Sequence, residues 1–126
     1  MGDLRVGRVT SVDYESGTVS VLYRDRDNQE IDGIPILSMN NEYLMPKIND
    51  MVLVAHLSNK NAVGIMLGKF YNDSNPPAVH GKNIYHKEYT NTVGKAYTHY
   101  DSESDTLTIY AKHIKVENED TSKTIL

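Results

Sequence analysis

The sequence predicts an all-β protein, with a small five-stranded Greek-key barrel in its N-terminal part and further strands after it. The composition supports this class, because the chain has nine Tyr, no Trp and many Val, Ile and Thr, and β-branched and aromatic residues favour strands. Apolar residues also recur at alternate positions, which is the period of a strand. No segment shows the sustained i, i+3, i+4, i+7 apolar spacing of an amphipathic helix.

Five β-rich segments in the first part of the chain are separated by Gly, Asn and Asp turns. The predicted strands span 4–14, 18–24, 30–37, 51–57 and 62–70, and the clearest turns are 15–17, 25–29 and 58–61. Five strands in about 70 residues are typical of a small Greek-key barrel. Pro35 lacks an N–H donor, so the third strand should lie at an edge or end there. We expect a core built from Val6, Val9, Val19, Val21, Val52, Val54, Ile65 and Leu67.

A change in composition marks a domain boundary after the fifth strand. Residues 71–77 are polar and end in Pro76-Pro77, a pair that favours an extended connector. We therefore predict a barrel over 1–75, an extended linker over 76–95, a strand segment over 96–117 and a polar C-terminal tail over 118–126.

The segment 96–117 combines clean alternation with one slip in phase. Two strands, 96–101 and 106–111, flank a polar turn. The apolar set changes phase at Lys112-His113, where we expect a bulge or corner. Because a single chain would leave this ridge and its strand edges exposed, we predict that copies of the chain share it in a cyclic interface. The predicted interface residues are Leu107, Ile109, Ala111, Ile114 and Val116.

Composition argues against most catalytic and metal-dependent functions. The chain has no Cys, so thiolate catalysis and thiolate metal ligation are excluded. The five His residues are far apart in the sequence, which favours structural roles, and His56 is expected to be a hydrogen-bonded histidine within the fourth strand. We interpret the carboxylate cluster of Asp101, Glu103 and Asp105 as a solvated hairpin turn and not as a calcium loop. We predict no enzyme activity, no cofactor and no metal site.

Single-stranded nucleic-acid binding is the alternative function. Arg24 and Arg26 beside Tyr14 and Tyr23 suggest a stacking platform with positive charge, although an Asp follows each Arg and the net charge is −4. The N-terminal residues lack an apolar stretch of signal-peptide length, and we therefore expect a product made in the bacterial cytoplasm.

Three stretches carry a resemblance to a known family. They are Gly7-Arg8-Val9 with Gly17-Thr18-Val19-Ser20-Val21, then 46–54 (PKINDMVLV), and then 64–71 (GIMLGKFY). Over about residues 4–80 the chain resembles baseplate assembly protein V, the central tail-spike protein of contractile phages. The resemblance implies an oligonucleotide/oligosaccharide-binding (OB-like) barrel, and 102–109 followed by 114–116 resembles the family's first needle strands.

The resemblance also implies partners and a location. In the family, trimeric barrels form a collar above an intertwined β-helical needle, so the expected partners are two further copies, baseplate hub and tail-tube proteins, and the target envelope transiently. This chain has no room for the longer needle or lysozyme domain of some relatives, and it lacks the His-x-His pair of a metal-binding tip. It therefore fits either a phage tail or a headless tail-like bacteriocin, with or without a separate spike-tip protein.

Overall fold

The computed structural model of the chain describes residues 2–57, 64–120 and 122–124. The described part is all-β apart from one 3-10 turn at Arg24–Arg26. It divides into two compact units, Met1–Asn75 and Pro76–Leu126. The predicted turn at 58–61 lies outside the described residues. Between β3 and β4 the chain makes a tight turn with Asn40 and Asn41 in the left-handed region, a conformation that Asn tolerates.

The first unit is one five-stranded antiparallel sheet in the order β3-β2-β1-β4-β5. Bulges interrupt the β1–β2, β2–β3 and β4–β5 pairings, and bulges bend strands and increase their twist. The strands are β1 (Asp3–Asp13), β2 (Thr18–Tyr23), β3 (Gln29–Pro35), β4 (Met51–His56) and β5 (Ile65–Lys69).

The two outermost strands of this sheet approach each other just beyond Pro35. Pro35 is the last residue of β3, which lies at one edge of the sheet, as predicted from its missing donor. Ile36 then forms a parallel bridge with Met66 of β5, and the Leu37 amide donates to the Met66 carbonyl at 3.0 Å. The first and last strands of the order are therefore joined by backbone contacts.

The core lies on one face of this sheet, and five of the eight predicted core residues are in it. Val6 and Leu67 are wrong, because they are 44% and 40% exposed, and Ile65 is only half-buried. On β1 the buried face carries Gly7 and Val9, and on β5 it carries Met66, so their immediate neighbours point the other way. The buried apolar residues are Val9, Val19, Val21, Tyr23, Ile34, Met45, Val52, Val54 and Met66.

Gly7 is required for the packing of this core. A Cβ at Gly7 would lie 2.3 Å from Val21 Cγ1 and 2.8 Å from a ring carbon of Tyr23. Real Cβ atoms do not approach neighbours this closely, so the absence of a side chain lets Tyr23 cross the inner face of β1.

The second unit contains two smaller antiparallel sheets. Strands β6 (Ile84–Glu88), β7 (Tyr97–Asp101) and β8 (Thr106–Tyr110) form one sheet in that order, and β9 (Lys115–Glu117) pairs with β10 (Ser122–Thr124) in the other. β6 falls within the predicted linker 76–95 and β10 within the predicted polar tail, so both ranges hold strands that the sequence analysis missed. The sequence signal for β6 is weak, because Ile84 is its only large aliphatic residue.

Candidate functional site

The sheet β6-β7-β8 has an apolar face defined by its register. One row across the three strands is Tyr85, Tyr100 and Leu107, and Ile109 stands in the next row of the same face, opposite Thr98. Tyr85, Leu107 and Ile109 are 67%, 62% and 57% exposed. Exposed aliphatic side chains grouped on one face are typical of surfaces that contact another protein.

This apolar face ends at an open strand edge. β8 is the last strand in the order of its sheet, and its outer edge pairs with no other strand of the described residues. An edge strand with unpaired N–H and C=O groups and exposed apolar side chains is a template for another strand. The unpaired backbone edge of β8 and its exposed apolar side chains therefore both favour contact with another strand.

The predicted interface residues divide between two places in the structure. Leu107 and Ile109 share one face of β8, as the alternation predicted. Ala111 and Ile114 are half-buried just beyond that strand, and Val116 is 57% exposed on β9. The chain bends at Lys112 and His113, at the predicted corner, and β9 pairs with β10 instead of β8. A joint interface of all five residues stays a prediction.

The opposite face of the three-stranded sheet carries a histidine cluster that the sequence analysis missed. His86 and His99 stand directly opposite each other on β6 and β7, with their Nδ1 atoms 2.8 Å apart. His86 Nε2 lies 2.5 Å from Glu88 Oε2, and the hydrogen bond to His86 lowers the pKa of Glu88. The alternation of Ile84, His86 and Glu88 was a signal for a strand, but the sequence analysis assigned these residues to the linker 76–95.

A second polar cluster lies at the His56 end of the five-stranded sheet. His56 is hydrogen-bonded as predicted, since Tyr23 Oη lies 2.6 Å from its Nε2. Burial raises the pKa of Tyr23 to about 12 and lowers the pKa of His56, so the neutral phenol donates to the neutral imidazole. The Arg5 guanidinium lies over the Tyr23 ring and contacts Asp3 at 3.1 Å. These contacts link β1, β2 and β4.

The residues proposed for a nucleic-acid platform are not arranged as one. Tyr23 is fully buried, and it therefore offers no ring face for stacking. Arg26 pairs with Asp3 at 3.1 Å, while Tyr14 is 65% exposed. The only ring of this set that is open to a base is that of Tyr14.

The acidic segment after β7 forms a hairpin turn. The Glu103 amide donates to Asp101 Oδ1 at 2.9 Å, Tyr100 donates to Asp105, and Asp105 adopts the left-handed conformation. The carboxylates of Asp101 and Asp105 therefore accept hydrogen bonds within the turn. Across the described residues, no group of three His, Asp or Glu is placed to hold a metal ion.

Within the described residues, no helix has the length and hydropathy needed to cross a membrane. Comparison of the chain with models of known protein families and with curated proteins finds no match.

Proposed function

We propose that this chain is a non-enzymatic structural subunit of the central spike beneath a contractile tail, and that it works as a homotrimer. The observation that carries the proposal is the exposed Leu107 and Ile109 pair on β8, at an edge that no described strand covers. A spike needs strands that are completed only by other copies of the same chain, and β8 has the side chains and the free edge for this.

The finer architecture that we propose begins with an OB-like barrel over residues 1–75. The antiparallel order β3-β2-β1-β4-β5 supports it, and so does the parallel bridge between Ile36 and Met66. In such a barrel the outermost strands meet and remove the sheet edges. Its role in the spike is to dock to the baseplate hub and the tail tube.

The segment 96–117 is proposed to form a short β-prism from three chains. Burial of Leu107 and Ile109 against the other copies would recover apolar surface that one chain leaves in water. The bend at Lys112 and His113 supports this geometry, because a prism strand must turn from one face to the next. Ala111, Ile114 and Val116 are assigned to the same interface beyond the bend.

In the proposed particle, the prism transmits the force of contraction to a target envelope that it contacts only transiently. The particle is a phage tail or a headless tail-like bacteriocin, assembled from subunits made in the bacterial cytoplasm. A separate tip protein is compatible with the short strand segment.

Molar mass in solution tests the proposal most directly. Light scattering on the full chain should give three times the chain mass of 14.2 kDa, unchanged when the sample is diluted. A monomer at all concentrations would contradict the spike function. Gel shifts with single-stranded oligonucleotides over a salt series provide the second arm, because binding that weakens steeply with salt would favour the nucleic-acid function instead.

A further inference from the structure

The five-stranded sheet has a second apolar face, which points away from its core. Neighbouring strands place their outward residues in three rows, namely Leu22, Arg8 and Met51, then Val6 and Leu53, then Leu4, Ala55 and Ile65. Leu4 is 64% exposed, and Val6 and Met51 are also exposed. Grouped aliphatic side chains in contact with water are typical of a surface that another protein covers.

Arg8 is the one charged residue in these rows. Its Nε is buried and has no hydrogen-bond partner, and Arg8 forms no ion pair with any described residue. Burial of part of a guanidinium weakens its hydration without supplying a counter-charge, so a carboxylate from another molecule would stabilise it. Because Nε is covered, such a carboxylate reaches the guanidinium at its terminal N–H groups.

A cavity of about 320 Å³ gives access to Arg8. Arg24 and Asp25 line it as well, beside the aliphatic Val6 and Met51. Arg24 also lacks an ion pair within the described part of the chain. The two guanidinium groups and the Asp25 carboxylate leave a net charge of about +1 at the cavity. This charge matches a single carboxylate, and it lies in the end row of the aliphatic face.

We propose that this surface binds a protein partner through an aliphatic segment that sets one Asp or Glu carboxylate against Arg8. We call it the Arg8 face; it comprises Leu4, Val6, Arg8, Met51 and Leu53. The carboxylate accepts two N–H groups of the guanidinium, a planar geometry that only Arg provides, and the partner's aliphatic side chains cover Leu4 and Val6. The rows offer no aromatic ring on which a base could stack, which favours a protein over a nucleic acid. The inference rests on the docking role proposed for this unit and gives that role a surface.

A synthetic peptide tests the Arg8 face on the full chain. In the end-capped sequence Ser-Leu-Thr-Glu-Thr-Leu-Ser, alternation puts both Leu and the Glu on one side of an extended backbone. Methyl and amide NMR shifts should change at Leu4, Val6 and Met51 as this peptide is added. The counterpart with Gln in place of Glu should bind about tenfold more weakly, the effect of losing a charge-assisted hydrogen bond.

Three variants assign the contact. Arg8→Gln should bind the Glu and Gln peptides equally, because the preference for Glu depends on the guanidinium. Leu4→Asp should lose binding, and the exposure of Leu4 lets the fold tolerate the change. Lys82→Gln is the matched control, since it removes one positive charge from an exposed position in the second unit, and it should keep the preference for Glu.

Each of three results would overturn the proposal. The first is a Glu peptide that shifts no residue of the Arg8 face, or that the unmodified chain binds no better than the Gln peptide. The second is a shift of this face on adding single-stranded oligothymidine, which would assign it to nucleic acid. The third is a Leu4→Asp chain with a lower molar mass by light scattering than the unmodified chain, which would mean that another copy covers the face. An unmodified chain that is monomeric and still prefers the Glu peptide would contradict the trimer and leave the Arg8 face standing.

Discussion

Replacement of Ile109 by Asp is the sharpest test of the proposed trimer. Ile109 is 57% exposed in one chain, so its burial between chains removes a little more than half of its surface from water. Full burial of an aliphatic side chain contributes roughly 1.5–3 kcal/mol, and this position therefore contributes about 1–2 kcal/mol per chain. Ile109→Asp loses that contribution at three positions and adds the cost of desolvating an unpaired carboxylate. We expect at least about 3 kcal/mol per trimer, enough to shift the assembly toward monomers or aggregates.

Sedimentation velocity and thermal unfolding of the variant measure this effect. Thr106→Asp is the matched control, because Thr106 is exposed on the same strand but on the opposite face. The control should sediment as a trimer, while Ile109→Asp should not, and far-ultraviolet circular dichroism should show that the five-stranded sheet of the first unit is retained. An Ile109→Asp chain that sediments and melts like the unmodified trimer would remove Ile109 from the interface and the main support for the spike function.

Two further predictions concern the five-stranded sheet. Gly7→Ala should lower the free energy of unfolding by about 1–3 kcal/mol in urea, because the added methyl group meets Val21 and Tyr23, and an unchanged midpoint would contradict the packing. Alkaline absorbance titration should show Tyr23 as a late phenol, since burial raises the pKa of Tyr23 to about 12. The resulting stabilisation is complete below the ordinary value of 10.0 and is lost as the pH rises through the folded value. The hydrogen bond to Asp105 also raises the pKa of Tyr100, so variants are needed to assign the step that belongs to Tyr23. Tyr23→Phe should remove this late step and Tyr14→Phe should not, as Tyr14 is 65% exposed.

The strands with regular alternation and strong turn signals could be predicted closely from the sequence. Predicted strands 18–24 and 51–57 match β2 and β4 to within one residue, and the hairpin of β7 and β8 lies where the alternation placed it. β6 was missed because its pattern of Ile84, His86 and Glu88 has one aliphatic residue and follows a proline pair. A strand of this kind gains its stability from cross-strand partners, here His99 and Tyr97, and one strand alone does not reveal them.

The histidine cluster could not be predicted for the same reason. His86 and His99 are thirteen positions apart, and their contact depends on the register of two strands across the 89–96 loop. Spacing along the sequence identifies ligands or partners only within one loop or helix turn. Antiparallel pairing brings together residues at any separation, so the histidine contact follows only from the pairing of β6 with β7.

Substitutions of Val6 and Val9 test which face of β1 is buried. Both are β-branched residues of one strand, and alternation cannot identify the inner face, because β4 and β5 are apolar on both sides. In the structure Val9 is fully buried and Val6 is 44% exposed.

Val→Thr keeps the shape but adds a hydroxyl, which costs about 1–3 kcal/mol where it is buried without a partner. Val9→Thr should therefore lower the free energy of unfolding by that amount, and Val6→Thr should change it by less than about 0.5 kcal/mol. Urea unfolding at one fixed protein concentration measures both, since association alters apparent stability. Equal losses in the two variants would mean that the outer face carrying Val6 is also covered, by another subunit or by another part of the assembly.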